Sequence, residues 1–299
     1  MKLKPPQRLG KLPLNTLAPN ILTIIALCSG LTAIRFALLG QFKFAVLAIA
    51  TAAFFDMLDG RVARLLKGAS KFGAELDSLS DFLSFGVAPA MVLYFWTLHD
   101  LGAGGNTGWL VVLAFAVCAA LRLARFNTAL DDDSKPVWTG SFFTGVPAPA
   151  GAGLSLLFLI INLELESAFF ASPFLNAVWM LGIGGLMISR VPTYSFKRVR
   201  VKREYVGLVL LGVGLLVAAL LNQPWYTLAA MEIAYIASIP LSIKAHDKLK
   251  RGDAQAQTGD MADAAAASAA VPAAPAAGSD ADGESKPGTA PGTTPGILH

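Results

Sequence analysis

Charge is scarce in this chain: only 15% of its 299 residues are Asp, Glu, Lys or Arg, where a soluble domain carries about a quarter. Cysteine is nearly absent. Cys28 and Cys118 are the only two, and both sit inside apolar stretches, which excludes a disulfide framework and predicts reduced, packed thiols. The three histidines, His99, His246 and His299, are too scattered for a histidine metal centre or a His-activated nucleophile.

What replaces charge is hydrophobicity, at 55% of residues with a mean hydropathy of +0.57. A spanning helix needs about 20 mainly apolar residues. About eight stretches qualify, at roughly 20–39, 43–66, 72–96, 108–127, 142–162, 170–190, 205–221 and 224–243. The expected fold is therefore all-α, a polytopic transmembrane helix bundle with short connections.

Basic residues gather at alternate ends of these stretches. Lys2, Lys4, Arg8 and Lys11 precede the first, Arg61, Arg64, Lys67 and Lys71 surround the second link, and Arg122, Arg125 and Lys135 follow the fourth. Arg190, Lys197, Arg198, Arg200, Lys202 and Arg203 follow the sixth, and Lys244, Lys248, Lys250 and Arg251 follow the eighth, whereas the opposite links carry only Lys43. Lys and Arg near span ends mark the cytoplasmic side, so both termini are expected there. A net charge of +4 located at span ends fits anionic membrane lipids and argues against nucleic acid as partner.

Three regions follow. Residues 1–19, with Pro5, Pro6, Pro13 and Pro19, read as a basic interfacial segment. Residues 20–245 form the transmembrane domain, and residues 252–299, rich in Ala, Pro and Gly, are expected to be a disordered tail. The first apolar stretch lacks a convincing cleavage site and is read as a span. Gly182, Gly184, Gly185, Gly212 and Gly214 suit close helix packing, including a subunit interface. Asp131, Asp132 and Asp133 point in three directions and read as a solvated run.

The informative acids are Asp56, Asp59, Asp77 and Asp81. Each would oppose insertion by about 2.5–3.5 kcal/mol unless compensated. Asp56 and Asp59 are spaced i, i+3, and Asp77 and Asp81 i, i+4, so each pair shares a helix face. With a turn centred near Gly68 and Ala69, Asp59 and Asp77 each lie about 13 Å from the turn, and Asp56 and Asp81 about 19 Å. The four carboxylates thus converge, either as coupled protonated acids of a proton pathway or as a site for hard divalent cations. A structural salt-bridge hairpin would not need four acids at one depth. Mg²⁺ or Mn²⁺ is the favoured reading, because Gly60, Ala63 and Gly73 remove bulk beside the acids and Arg64 supplies a planar cation suited to phosphate.

These residues match a known signature: Asp56, two residues, Asp59-Gly60, two, Ala63-Arg64, eight, Gly73, three, Asp77, three, Asp81. On it the chain resembles the CDP-alcohol phosphatidyltransferase family over roughly residues 14–245. The resemblance implies that the four aspartates hold two metal ions and that Asp81 is also the catalytic base toward the acceptor hydroxyl. It implies that Gly60, Ala63 and Gly73 shape the CDP pocket with Arg64 near the diphosphate. Pro19-Asn20-Ile21-Leu22-Thr23 resembles the family segment facing the nucleotide, making Asn20 and Thr23 candidate ligands; without the resemblance Asn20 would read as a helix cap. The chemistry implied is direct attack of the alcohol on a CDP-lipid, with CMP leaving. A homodimer is also implied.

The flanks Phe85-Gly86-Val87-Ala88-Pro89-Ala90, residues 121–127, residues 143–149 and residues 192–197 are similar to the membrane-embedded bacterial members that join CDP-diacylglycerol to L-serine, giving phosphatidylserine and CMP. Such a protein would lie in the bacterial cytoplasmic membrane with its site toward the cytoplasm. Serine brings a carboxylate, for which Arg122 and Arg125, with Asn127 beside them, are the candidate contacts, ahead of Arg190. Glycerol 3-phosphate and inositol phosphate are the alternative acceptors. A cation or proton-coupled transporter is the alternative of another class, weakened by the fixed small residues and the lack of an internal repeat.

Overall fold

The structure, a computed structural model, describes residues 14–68, 70–130, 142–189, 191–194 and 203–243. Residues 1–13, the Asp131–Asp133 run, Arg190 and the tail at 252–299 lie outside the described residues.

Helix α1 spans Leu14–Leu38 and α2 spans Phe42–Leu65. Between them Gly40, at φ +70°, closes α1: the Gly40 amide donates to Ala37 and the Gln41 amide to Phe36, satisfying carbonyls that the helix end would orphan. The two helices pack together, and small residues, Ala26, Ala33 and Ala37 on α1 and Ala45 and Ala52 on α2, are buried in the core. Small residues let backbones approach where lipid offers no hydrophobic drive.

Helix α3, Lys71–Asp81, begins on Ser70, whose hydroxyl accepts from the Gly73 amide at 3.0 Å. It runs through a π-helical turn, Phe82–Val87, into α4, Ala88–Trp96. Serines stitch this segment to α1: Ser80 Oγ donates to the Thr23 carbonyl at 3.2 Å and Ser84 Oγ to the Ala26 carbonyl at 3.3 Å. Gly30 makes the approach possible, since a Cβ there would stand 2.8 Å from Ser84 Cα.

Helix α5 spans Asn106–Leu130, α6 Ala148–Ser155, α7 Leu157–Leu165, α8 Pro173–Ile188, α9 Val206–Asn222 and α10 Pro224–Ile243. Helices α3–α4 and α6–α7 each act as one apolar rod, so the described residues give helix at all eight stretches expected from sequence. Five of the helical segments are long and apolar enough to cross a membrane, with α8 and α9 as shorter apolar helices. The chain is a multi-pass membrane protein.

Some expectations need correction. The fifth stretch starts at Ala148, not near 142, because Phe142–Thr144 forms strand β1, antiparallel to β2, Pro192–Tyr194. Gly145, at φ +80°, and Pro147 then delay the helix. The first helix starts at Leu14, so Pro19 and Asn20 lie inside α1, and the cap reading of Asn20 fails. Both cysteines are free, but Cys28 is exposed while Cys118 Sγ packs at Gly184.

Candidate active site

Helices α2 and α3 form the expected hairpin, linked by residues 66–70, and their acids meet. One carboxylate oxygen from each of Asp56, Asp59 and Asp77 lies within 4.8 Å of the others. Asp81 lies within electrostatic reach of Asp56. The pairing by depth is therefore Asp56 with Asp81, with Asp59 and Asp77 nearer the turn.

Each acid meets a different environment. Asp59 is 5% exposed and accepts a 2.6 Å hydrogen bond from Thr23 Oγ1 on α1. Thr23 also contacts the Pro19 carbonyl at 3.1 Å, a position that anchors it whichever oxygen takes its proton. Asp81 Oδ1 is buried with no hydrogen-bond partner.

An orphaned carboxylate oxygen beside three further acids is costly unless something positive joins them. The donor set is all oxygen and clustered within reach of one centre, so it fits a hard divalent cation, Mg²⁺ or Mn²⁺ by preference. Nothing in the donor set suits a soft metal.

Beside Asp59 and Asp77 opens a cleft of about 170 Å³. Asn20, Thr23, Gly60, Ala63 and Gly73 all line it. Gly60 leaves space, because a Cβ there would meet nothing closer than Arg64 Nη1 at 3.6 Å. Gly73 is needed for a different reason: a Cβ there would come within 2.8 Å of Asn20 Oδ1. Arg64 does not line the cleft; it is exposed, with its guanidinium beside Gly60 at the edge.

The far side of the cluster is made by α5, and here the structure separates residues that the sequence could not. Arg122 is 9% exposed and lies within electrostatic reach of Asp81 and Asp56, with Nε buried and unpartnered. Arg125 instead donates to the carbonyls of Ile188, at 2.6 Å, and Ser189, at 3.2 Å. It caps the C-terminal end of α8, where orphaned carbonyls favour a cation. Asn127 donates to Ser78 Oγ at 2.9 Å and ties α5 to α3.

Sequence reading missed Ser70, which caps α3 and lines the cleft, and the Ser80 and Ser84 contacts to α1. The signal for the serines was present: Ser80 and Ser84 repeat the i, i+4 spacing of Asp77 and Asp81 one helical step away. Tyr235 on α10, within electrostatic reach of Arg122, carried no such signal.

Residues 16–188 match the family described as CDP-alcohol phosphatidyltransferase, and residues 204–240 match CDP-alcohol phosphatidyltransferase 2. The chain is 40% identical over 225 residues to the CDP-diacylglycerol–serine O-phosphatidyltransferase of Mycobacterium leprae (strain TN), covering 75% of this chain and 74% of that protein. It is 35% identical over 204 residues to the protein of that name from Helicobacter pylori (strain ATCC 700392 / 26695), covering 67% and 82%. Against the one from Bacillus subtilis (strain 168) the identity is 36% over 180 residues, covering 60% and 91%.

Proposed function

The chain belongs to the CDP-alcohol phosphatidyltransferase family, and we propose that it transfers the phosphatidyl group of CDP-diacylglycerol to the hydroxyl of L-serine, giving phosphatidylserine and CMP. The observation that carries this reading is the four-acid cluster with a small-residue cleft on one side and the buried Arg122 guanidinium on the other.

In this reading Asp56, Asp59 and Asp77, with Asp81 beside them, would hold two Mg²⁺ or Mn²⁺ ions. The ions, when bound, neutralise charge on the diphosphate. The cleft receives the CDP group: Asn20 and Thr23 offer hydrogen bonds, Gly60, Ala63 and Gly73 leave room, and Arg64 meets the diphosphate at the edge. Arg122 pairs with the serine carboxylate, with its charge undiminished because, among the described residues, no carboxylate forms an ion pair with it. Asp81 accepts the serine hydroxyl proton on its unpartnered oxygen. The serine oxygen then bonds to the lipid-side phosphorus as the bond from that phosphorus to CMP breaks. Of the other two acceptor candidates, Arg125 and Asn127 serve by fixing α5 against α8 and α3.

We further read all eight helical segments as spans, with both termini and the active site at the cytoplasmic face of a bacterial inner membrane. Arg61, Arg64, Lys67, Lys71, Arg122 and Arg125 support that side, against Arg35 and Lys43 at the other. The three-region division, with a basic interfacial segment at 1–19 that keeps its basic residues before α1 and a tail at 252–299, belongs to the same reading. Two subunits pair in it, and Gly182 and Gly185 on α8 and Gly212 and Gly214 on α9, where an added Cβ would meet nothing within 4 Å, leave room for a close helix contact. Gly184, by contrast, is used inside the subunit against Cys118.

The test is turnover by the purified protein with CDP-diacylglycerol, labelled serine and Mn²⁺ or Mg²⁺. Phosphatidylserine and CMP should form one for one, stop with a chelator and resume with added ion. Labelled product from glycerol 3-phosphate or inositol phosphate, and none from serine, would reject the serine assignment and leave the family intact.

A further inference from the structure

Helices α1 and α2 carry a second recess, a groove of about 420 Å³ against about 170 Å³ for the donor cleft. It is lined by Ile24, Ile25, Cys28 and Phe36 on α1 and by Phe44 and Leu47 on α2. It does not continue the cleft. Thr23 lines the cleft, and Ile25, two residues on, stands about 200° around the helix.

The polar members of the lining are turned inward. Ser29, Thr32 and Thr51 each donate to the carbonyl four residues back, Ile25 at 2.8 Å, Cys28 at 2.6 Å and Leu47 at 2.8 Å, so no hydroxyl proton of theirs is left for an occupant. The surface offered is apolar. Along α1 it runs from Ile24 to Phe36, about 18 Å at 1.5 Å per residue. That is close to the depth of one leaflet, about 15 Å, whereas a partner helix would call for a contact running the full thickness of about 30 Å. The length suits an acyl chain.

Where the groove ends, at Phe36 and Phe44, two cations stand beside it. Arg35 follows Cys28 by seven residues and Thr32 by three, and Lys43 precedes Leu47 by four and Thr51 by eight, so each shares a face with the lining. Both are exposed, and neither forms an ion pair among the described residues. Their position is against the trend of the chain, since Arg61, Arg64, Lys67 and Lys71 collect at the opposite end of α2, by the acids. Two cations at the mouth of an apolar groove one leaflet long complement a chain-bearing phosphate.

We propose that this groove binds one anionic phospholipid, with an acyl chain between α1 and α2 and the phosphate held by Arg35 and Lys43. The lipid braces the two helices that supply Thr23 and Asp59 to the active site, from the end that carries no acid of the cluster. It is distinct from a lipid substrate, whose phosphate belongs beside the acids.

The test is native mass spectrometry of the full chain in detergent, titrated with phosphatidylglycerol or phosphatidylcholine. One phosphatidylglycerol per subunit should be retained, with phosphatidylcholine held at least about tenfold more weakly. Arg35→Gln with Lys43→Gln should weaken phosphatidylglycerol about thirtyfold, about fivefold for each cation. Cys28→Trp, which fills the groove and leaves both cations, should lose the lipid too, whereas Arg61→Gln with Lys67→Gln at the other end should keep it. Equal retention of the two lipids, or undiminished phosphatidylglycerol in either groove variant, overturns the inference. So does a disulfide between the Cys28 residues of two subunits under mild oxidation, absent from Cys28→Ser, because it places a second copy in the groove.

Discussion

The two sides of the acid cluster are built on opposite plans. On the cleft side Asp59 and Asp77 are flanked by Gly60, Ala63 and Gly73, and selectivity comes from the space those residues leave. On the α5 side Asp56 and Asp81 lie within electrostatic reach of the buried Arg122, beside the Phe126 ring, and in the proposed reading selectivity comes from where that charge is held. In the proposed reading a bulky nucleotide is admitted by removing atoms, and a small zwitterion by placing a charge. Errors on the two sides should therefore separate kinetically: cleft changes act on the donor KM, α5 changes on the acceptor KM, and only the acids between them act on turnover itself.

The largest expected effect is at the divide. Asp81→Asn removes the proton acceptor and should cut kcat by about 10²–10⁴-fold with normal insertion into the membrane; near-parental kcat would end its role as base. Next is Arg122→Ala, expected to raise the serine KM by about two orders of magnitude, in line with loss of a buried charged partner, with the donor KM nearly unchanged. Gly73→Ala tests the other side. Its Cβ meets Asn20 Oδ1 at 2.8 Å, so the donor KM should rise about tenfold through overpacking of about 1–3 kcal/mol while the serine KM holds. A matched rise in both constants would dissolve the comparison. The smallest effect is predicted for Arg125→Gln: loss of the α8 cap should cost about 1 kcal/mol, visible as a drop of a few degrees in melting temperature, with neither KM moved.

The cleft side was almost wholly legible in the sequence. Pairs spaced i, i+3 and i, i+4 about a glycine turn fix both face and depth, because helix geometry is local and the hairpin is short. The acceptor side was not legible in the same way. Arg122 and Arg125 stand one turn apart at the same helix end, and nothing local distinguishes them. What separates them is α8, more than 60 residues away, whose last carbonyls take up Arg125. The strand pair escaped notice because three residues between glycine and proline carry too little alternation to register.

Glycine reading also divides by neighbourhood. Gly30 and Gly73 admit Ser84 and Asn20, whereas a Cβ added at Gly182, Gly185, Gly212 or Gly214 would meet nothing within 4 Å among the described residues. The residue type alone does not tell a filled notch from an uncovered one.

The pairing of Phe142–Thr144 with Pro192–Tyr194 imposes an order on biosynthesis. The first strand leaves the ribosome roughly 50 residues ahead of the second, a wait of several seconds at about 5–20 residues per second. By then every acid of the cluster has long been made, and α10 is still to come. The four acids and Arg122 are therefore all made before either strand can pair, so a chain truncated between the two strands would carry them without the pairing of β1 and β2.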